Sequence, residues 1–390
     1  MNIKYDSIRR ISSSVTRAAV PFVFLVLVTA LCPLFTTRVQ AQESMDRYTA
    51  TNLATDIFAR AENSDTSLIN PWGMAYDPDA GTWWVADAGR GRATVYSFSG
   101  LPFPGLAPRY VNIPRTPGSV GDYSAPTGIV YNSTEAFKLA PDAPSRLILV
   151  TRDGSIAGWN SEYDRYAAVL AVDNSQRAVY TGAAIASLDG QSVLYVANFG
   201  QGRIDSFGPD FNPSSLRDGA FLDPYLPYGF SPYNVQVINN NIVISYAMNG
   251  TDGRTALFGK GSGYVDVFDA KGALLTRLEH GPWLDAPWGI ALAPRTGFGK
   301  YSGALLVGNS GSGRIAAFDV ASGSFLGFLM DNKNKPIVVP GLHGLGFGNS
   351  DTVGTAAALY FTAGSRGMNL FGSITPGPAS GSVPAALQGY

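Results

Sequence analysis

The sequence predicts an all-β chain folded as a six-bladed β-propeller, four strands to a blade, with the ring closed by an N-terminal strand. Three observations carry that prediction. The unit Val85-Ala86-Asp87-Ala88-Gly89-Arg90-Gly91-Arg92 returns as Val196-Ala197-Asn198-Phe199-Gly200-Gln201-Gly202-Arg203 and as Val307-Gly308-Asn309-Ser310-Gly311-Ser312-Gly313-Arg314, each time 111 residues on, or twice a period of about 55. Repetition at this period marks stacked or radial supersecondary units. A second unit, Pro71-Trp72-Gly73, recurs as Pro287-Trp288-Gly289. Composition agrees, because 45 Gly and 25 Pro among 390 residues, with only 15% charged, suit short strands and tight turns.

Six units align. Strand A opens at Trp72-Gly73, Thr127-Gly128, Thr181-Gly182, Tyr233-Asn234, Trp288-Gly289 and His343-Gly344, spaced by 55, 54, 52, 55 and 55 residues. A β-branched or aromatic run then forms strand B, at 82–86, 146–151, 193–197, 242–246, 304–308 and 358–362. Strand C follows a Gly-rich turn, at 93–98, 155–159, 204–207, 263–268, 315–318 and 368–374. Strand D is expected at 110–113, 166–172, 221–226, 274–278 and 325–330, and the sixth unit has none of its own. The segment 48–57, which opens Tyr-Thr-Ala-Thr-Asn-Leu, reads as the strand that completes this last blade. Closure removes the exposed edge and missing interface of an open ring. The propeller is assigned to 42–375, and the Pro/Gly-rich segment 376–390 to a disordered tail.

Residues 1–41 read as a signal peptide. Lys4, Arg9, Arg10 and Arg17 precede an apolar stretch at 18–35, and Val39-Gln40-Ala41 offers small residues for cleavage before Gln42. The alternative is an uncleaved anchor, since eighteen apolar residues just span a thin bilayer, and only then is a membrane a partner. The expected location is periplasmic or extracellular. The single cysteine, Cys32, lies in the leader, so the mature chain has no disulfide or thiolate chemistry. With a net charge of −1 and no Lys/Arg run, no nucleic-acid partner is expected. A monomer is expected.

The pattern Pro-x-Gly-[Ile/Met]-Ala, followed by Val-Ala-Asp/Asn-x-Gly-x-Gly-Arg, resembles the NHL-type six-bladed propellers. A fuller signature comprises Asn52-Leu53 with Asp56, Asn70-Pro71-Trp72-Gly73, Trp84-Val85-Ala86-Asp87, Ala286-Pro287-Trp288-Gly289 and Tyr360-Phe361-Thr362-Ala363-Gly364 with Leu370-Phe371-Gly372. It resembles a family of exported, mainly bacterial proteins of unassigned function, over about residues 48–375. The resemblance implies a fold and no active site.

In propellers the loops entering strand A and those joining B to C share one face around the channel. On that face the sequence places Trp72, Asn234, Trp288 and His343 with Asp87, Asn198 and Asn309. Aromatic faces with amides and a carboxylate between them suit a polar organic ligand. The competing reading is structural. Asp87, Asn198 and Asn309 sit where side chains bond their own turns, and the tryptophans could pack the blade tops. The repeated Arg92, Arg203 and Arg314 are expected to bond neighbouring blades. No nucleophile elbow or P-loop spacing is present, and no catalytic residue is assigned. The expected function is a scaffold binding a polar small molecule, glycan or protein partner at the channel mouth, with no cofactor predicted. The alternative is a Ca²⁺-dependent hydrolase like the gluconolactonase/regucalcin-type propellers, which use an Asp/Asn/Glu metal site. Of the oxygen donors Asp87, Asn198, Asn234 and Asn309, only Asp87 is anionic.

Overall fold

A computed structural model of the chain describes residues 46–348 except 106 and 120, and residues 358–377 except 366. The expected signal peptide and residues 378–390 of the expected tail lie outside the described residues. Six small sheets make the six blades of a propeller. Blade 1 pairs Pro71–Asp77, Thr82–Asp87, Arg92–Tyr96 and Tyr110–Asn112 in that order. Blade 2 pairs Pro126–Tyr131, Leu147–Thr151, Ser155–Trp159 and Val169–Asp173, with a small hairpin, Lys138–Ala140 and Ala143–Pro144, in its A–B connection. Blade 4 uses Phe230–Ile238, Asn241–Asn249, Gly263–Phe268 and Leu274–Arg277, and blade 5 uses Pro287–Leu292, Leu305–Asn309, Ile315–Phe318 and Phe325–Phe328.

Blade 3 departs from the expected four strands. It has Tyr180–Leu188, Gln191–Asn198 and Arg203–Phe207 only. The aromatic segment at 221–226 read as a strand because of its apolar side chains. Instead Phe221 takes a left-handed conformation (φ 58°) and packs between Tyr195 of blade 3 and Phe268 of blade 4, ring centroids 5.3 and 5.5 Å away.

Blade 6 closes the ring as expected. Leu342–Phe347, Leu359–Ser365 and Met368–Pro376 are completed by Tyr48–Thr55, which pairs antiparallel with the last of them from Tyr48↔Pro376 to Thr55↔Leu370. The Asp56 carboxylate accepts from the Asn369 N–H and amide at 2.9 Å each, and the Tyr48 hydroxyl reaches blade 5, donating to the Phe298 carbonyl at 2.9 Å.

The sequence explains the layering. Strand B is sandwiched by neighbouring blades, so Leu147-Ile148-Leu149-Val150-Thr151 is buried at every residue. Strand D lies at the rim, where Val169–Asp173 is only partly covered. The core is therefore divided among blade interfaces, as where Trp84 of blade 1 meets Trp159 of blade 2 at 4.9 Å. The repeated Gly-x-Gly-Arg has a backbone cause: Gly91, Gly202 and Gly313 all turn at φ 61–69°, where a side chain is strained. The arginines after them stay within their own blades, which corrects the inter-blade expectation. Arg92 lies over Tyr110 at 3.8 Å, Arg203 bonds Asp205 at 2.7 Å and Arg314 lies over Phe328 at 5.5 Å.

Candidate functional site

Every strand A carries a β-bulge at one register. Pairing with strand B slips between Pro71 and Met74, Pro126 and Gly128, Tyr180 and Gly182, Pro232 and Asn234, Pro287 and Gly289, and Leu342 and Leu345. The residue at the slip is Thr127, Thr181, Tyr233 or Trp288 or, in blades 1 and 6, Trp72 with Gly73 and His343 with Gly344. A bulge re-aims its side chain. Here the result is an aromatic knot across the channel. Trp72 stacks on His343 with centroids 4.2 Å apart, and meets Trp288 and Tyr233 edge-on at 6.1 and 6.0 Å. The Trp288 indole N–H donates across the ring to the Thr181 carbonyl at 3.0 Å, and the Asn234 amide donates to the Trp288 carbonyl at 2.7 Å. Thr362 donates its hydroxyl to the Trp72 carbonyl.

Four of the seven expected site residues thus come together, but as a plug. Trp72, Trp288, Asn234 and His343 are only 6, 4, 5 and 7% exposed. Above them Arg152 lies over Trp72 at 5.8 Å and exchanges guanidinium-to-carbonyl bonds with Arg254, both 2.8 Å. The desolvated imidazole of His343 has its pKa pushed down to about 4, mainly by burial and further by Arg152, against the bond from its Nδ1 to the Gly341 carbonyl at 2.9 Å.

The other three residues serve their own turns and blade interfaces. Asn198 caps its turn, accepting from Gln201 N–H at 3.2 Å and donating to Asp205 at 2.7 Å. Asn309 accepts from Asp285 N–H at 2.8 Å and donates to the Trp283 and Arg314 carbonyls. Asp87 is wholly buried and accepts from the Thr94 hydroxyl at 2.6 Å; desolvation pushes its carboxyl well above the usual range. These residues do not fit a shared ion. The amide oxygens of Asn198 and Asn309 are engaged by backbone N–H groups, and among the described residues no cluster of three or more His, Cys, Asp or Glu is placed to hold a metal.

Beneath the plug the strands A crowd together at a glycine collar. A Cβ on Gly289 would stand 2.4 Å from the His343 carbonyl oxygen, and one on Gly73 2.5 Å from that of Thr127. The fourth member of this register is Asn234, whose side chain fills the space that Gly182 leaves. A cavity of about 30 Å³ sits here between Asn234 and Gln236.

Past the collar the channel widens to about 370 Å³ at the far ends of the strands A. Its side chains are mostly apolar, with Ile185, Val237, Leu292 and Phe347 joined by Tyr76 and Tyr131, but its surface is polar and apolar in near-equal measure. Gln236 is the one side-chain amide in it. Strand A is the inner edge of each sheet, so backbone N–H and C=O groups without a ladder partner also face this space. At its margin the Tyr131 hydroxyl donates to Asp79 at 2.6 Å, and burial with that bond pushes the phenol pKa up to about 12. Sequence reasoning missed this end. The available clue was the in-register set Tyr76, Tyr131, Ile185, Val237, Leu292 and Phe347, four residues beyond each plug position.

No family model matches the chain. The uncharacterized protein R648 of Acanthamoeba polyphaga mimivirus is 29% identical over 297 residues, spanning 73% of this chain and 70% of that protein. The uncharacterized protein L690 of the same virus is 30% identical over 300 residues, 73% of this chain and 75% of that protein. The chain belongs to the L690 family. Members of the L690 family named here are viral, so the bacterial, exported character suggested by the residue signature rests on that signature alone. Among solved structures, a Bacteroides thetaiotaomicron protein of unknown function superposes with a TM-score of 0.50 at 9% identity, over 84% of this chain and 76% of its own. Likeness at that level is a likeness of fold.

Proposed function

We propose that the chain is an exported, non-catalytic binding protein whose ligand enters the open end of the channel, opposite the aromatic plug. One observation carries this: a 370 Å³ cavity on the propeller axis, closed on its inner side by the collar and plug and open outward. Apolar side chains alternating with fixed polar groups, as on this wall, suit an amphipathic small molecule. The ligand has an apolar body of modest size and a polar group that meets Gln236 or the inner-edge backbone. The hydroxyl–carboxylate pair at its margin, Tyr131 with Asp79, has a phenol pKa pushed up to about 12, which keeps the hydroxyl protonated and favours binding over reaction. Export rests on residues 1–41, and mass spectrometry of the secreted protein should find Gln42 at its N-terminus. A chain retaining residues 18–35 would overturn cleavage.

The binding proposal is tested by ligand-observed NMR with a set of small amphipathic fragments on the mature protein. Gln236→Leu, close in size, should weaken the bound fragments about tenfold, a loss of ~1.4 kcal/mol for one hydrogen bond, with melting unchanged. Fragments indifferent to Gln236→Leu, yet displaced by changes at Arg152, would move the site to the plug end. The calcium-dependent hydrolase stands second, and no contact favours it. A rise in melting temperature with calcium that EDTA reverses would revive it.

A further inference from the structure

Blade 3 leaves the outer edge of its strand Arg203–Phe207 uncovered, and the reason is visible in the chain that follows. After a tight turn, in which Gly208 N–H donates to the Asn212 carbonyl at 2.8 Å, the chain returns beside the strand at Ser214 only, whose N–H donates to the Ser206 carbonyl at 2.8 Å and whose carbonyl accepts from the Ser206 hydroxyl at 2.9 Å. It then leaves for blade 4. Arg217 donates to the Lys271 carbonyl at 2.9 Å, Phe221 N–H to the Gly272 carbonyl at 2.9 Å, and Asp223 is buried in an ion pair with Arg277. The residues that elsewhere supply a fourth strand are therefore pinned to the neighbouring blade.

The bond to Ser206 fixes which backbone groups face outward. Alternation along the strand puts the N–H and C=O of Ile204 on the open side, beyond the stretch at Ser206 that Ser214 covers. In blades 1, 2 and 5 the carbonyls of Gly91, Gly154 and Gly313 accept from Ile113, Asn174 and Val339. Among the described residues no backbone N–H does this for the equivalent Gly202. A groove of about 260 Å³ runs along this edge, walled by Ile204, Ser206, Ser214 and Leu216, with Arg177 and Arg203 in its lining. Arg203 is neutralised by Asp205 at 2.7 Å, whereas the exposed Arg177 guanidinium has no side-chain partner among the described residues.

We infer that this edge is a strand-addition site, where an extended segment of a partner protein supplies the missing strand of blade 3 and sets a carboxylate against Arg177. Backbone pairing gives such recognition its affinity and the flanking side chains its specificity. The site is separate from the channel and stands whether or not the channel binds a ligand.

The probes are fluorescein-labelled, end-blocked hexapeptides alternating valine and threonine, with one glutamate or one lysine, and a copy of the glutamate peptide N-methylated at alternate residues. The glutamate peptide should bind by fluorescence anisotropy and slow hydrogen exchange at the Ile204 amide. N-methylation should weaken it at least tenfold. Arg177→Glu, at an exposed position, should reverse the preference between glutamate and lysine peptides at least tenfold. Binding by neither peptide, or binding indifferent to N-methylation, overturns the inference. So does a dimeric free protein in which a second copy already protects that amide.

Discussion

Replacing Trp72 by alanine should destabilise the protein by about 3–5 kcal/mol, the range for truncating a buried large aromatic side chain. The geometry argues for the upper part of that range. The indole is 6% exposed and joins its own blade to three others, stacking on His343 at 4.2 Å and meeting Trp288 and Tyr233 near 6 Å. Each such ring pair adds about 0.5–1.5 kcal/mol beyond burial. The plug lies on the axis, where no neighbouring strand can move in without breaking the collar. Trp72→Phe is the control. The Trp72 indole N–H is buried without an acceptor, so phenylalanine keeps a stacked ring and leaves no new polar group unpaired. Its cost should stay near 1–2 kcal/mol. Urea unfolding of the mature protein, followed by circular dichroism with the slope checked for constancy, reads both differences. An alanine variant within ~0.5 kcal/mol of the parent would refute the plug as a structural keystone, as would a phenylalanine variant no better than alanine.

Two further predictions concern the ring. His343 titrates at about 4 when folded and 6.5 when free, so the unfolded chain takes up the proton first. Stability from this group is present above pH 6.5 and falls as pH drops toward 4, by about 3 kcal/mol at one pKa unit per 1.36 kcal/mol. His343→Phe should flatten that part of the pH–stability curve relative to the parent, and parallel curves would refute it. A chain starting at Pro71 lacks Tyr48–Thr55, exposing the edge of Met368–Pro376. It should lose several kcal/mol, roughly the scale of the largest single-site losses or more, and equal melting of the two chains would contradict closure by this segment.

The blade plan was legible because repetition constrains all six units at once: Gly91, Gly202 and Gly313 must turn alike, so the strands around them align. The closing strand was legible by subtraction, since the sixth unit lacked one and 48–57 had no blade of its own. The fourth strand of blade 3 was misread because Phe221 is apolar to fill the seam between Tyr195 of blade 3 and Phe268 of blade 4, and periodicity does not tell a packed loop residue from a strand residue. The same holds at the axis. Register put Trp72, Trp288, Asn234 and His343 on one ring, but whether such side chains frame an opening or meet across it depends on channel width. That width is set by the collar glycines and by side-chain size together. Asp87, Asn198 and Asn309 were open to two readings; Asn198 and Asn309 bond their own turns, whereas Asp87 bonds Thr94 on the adjoining strand.

The most direct test is a crystal structure of the mature protein soaked with the amphipathic fragments. Fragment density on the axis between Tyr76, Tyr131, Gln236 and Phe347, with the rings of Trp72, His343 and Trp288 still closed on one another, is the predicted result. Fragment density at an opened Trp72–Trp288 face, with the far end of the channel empty, would contradict the account.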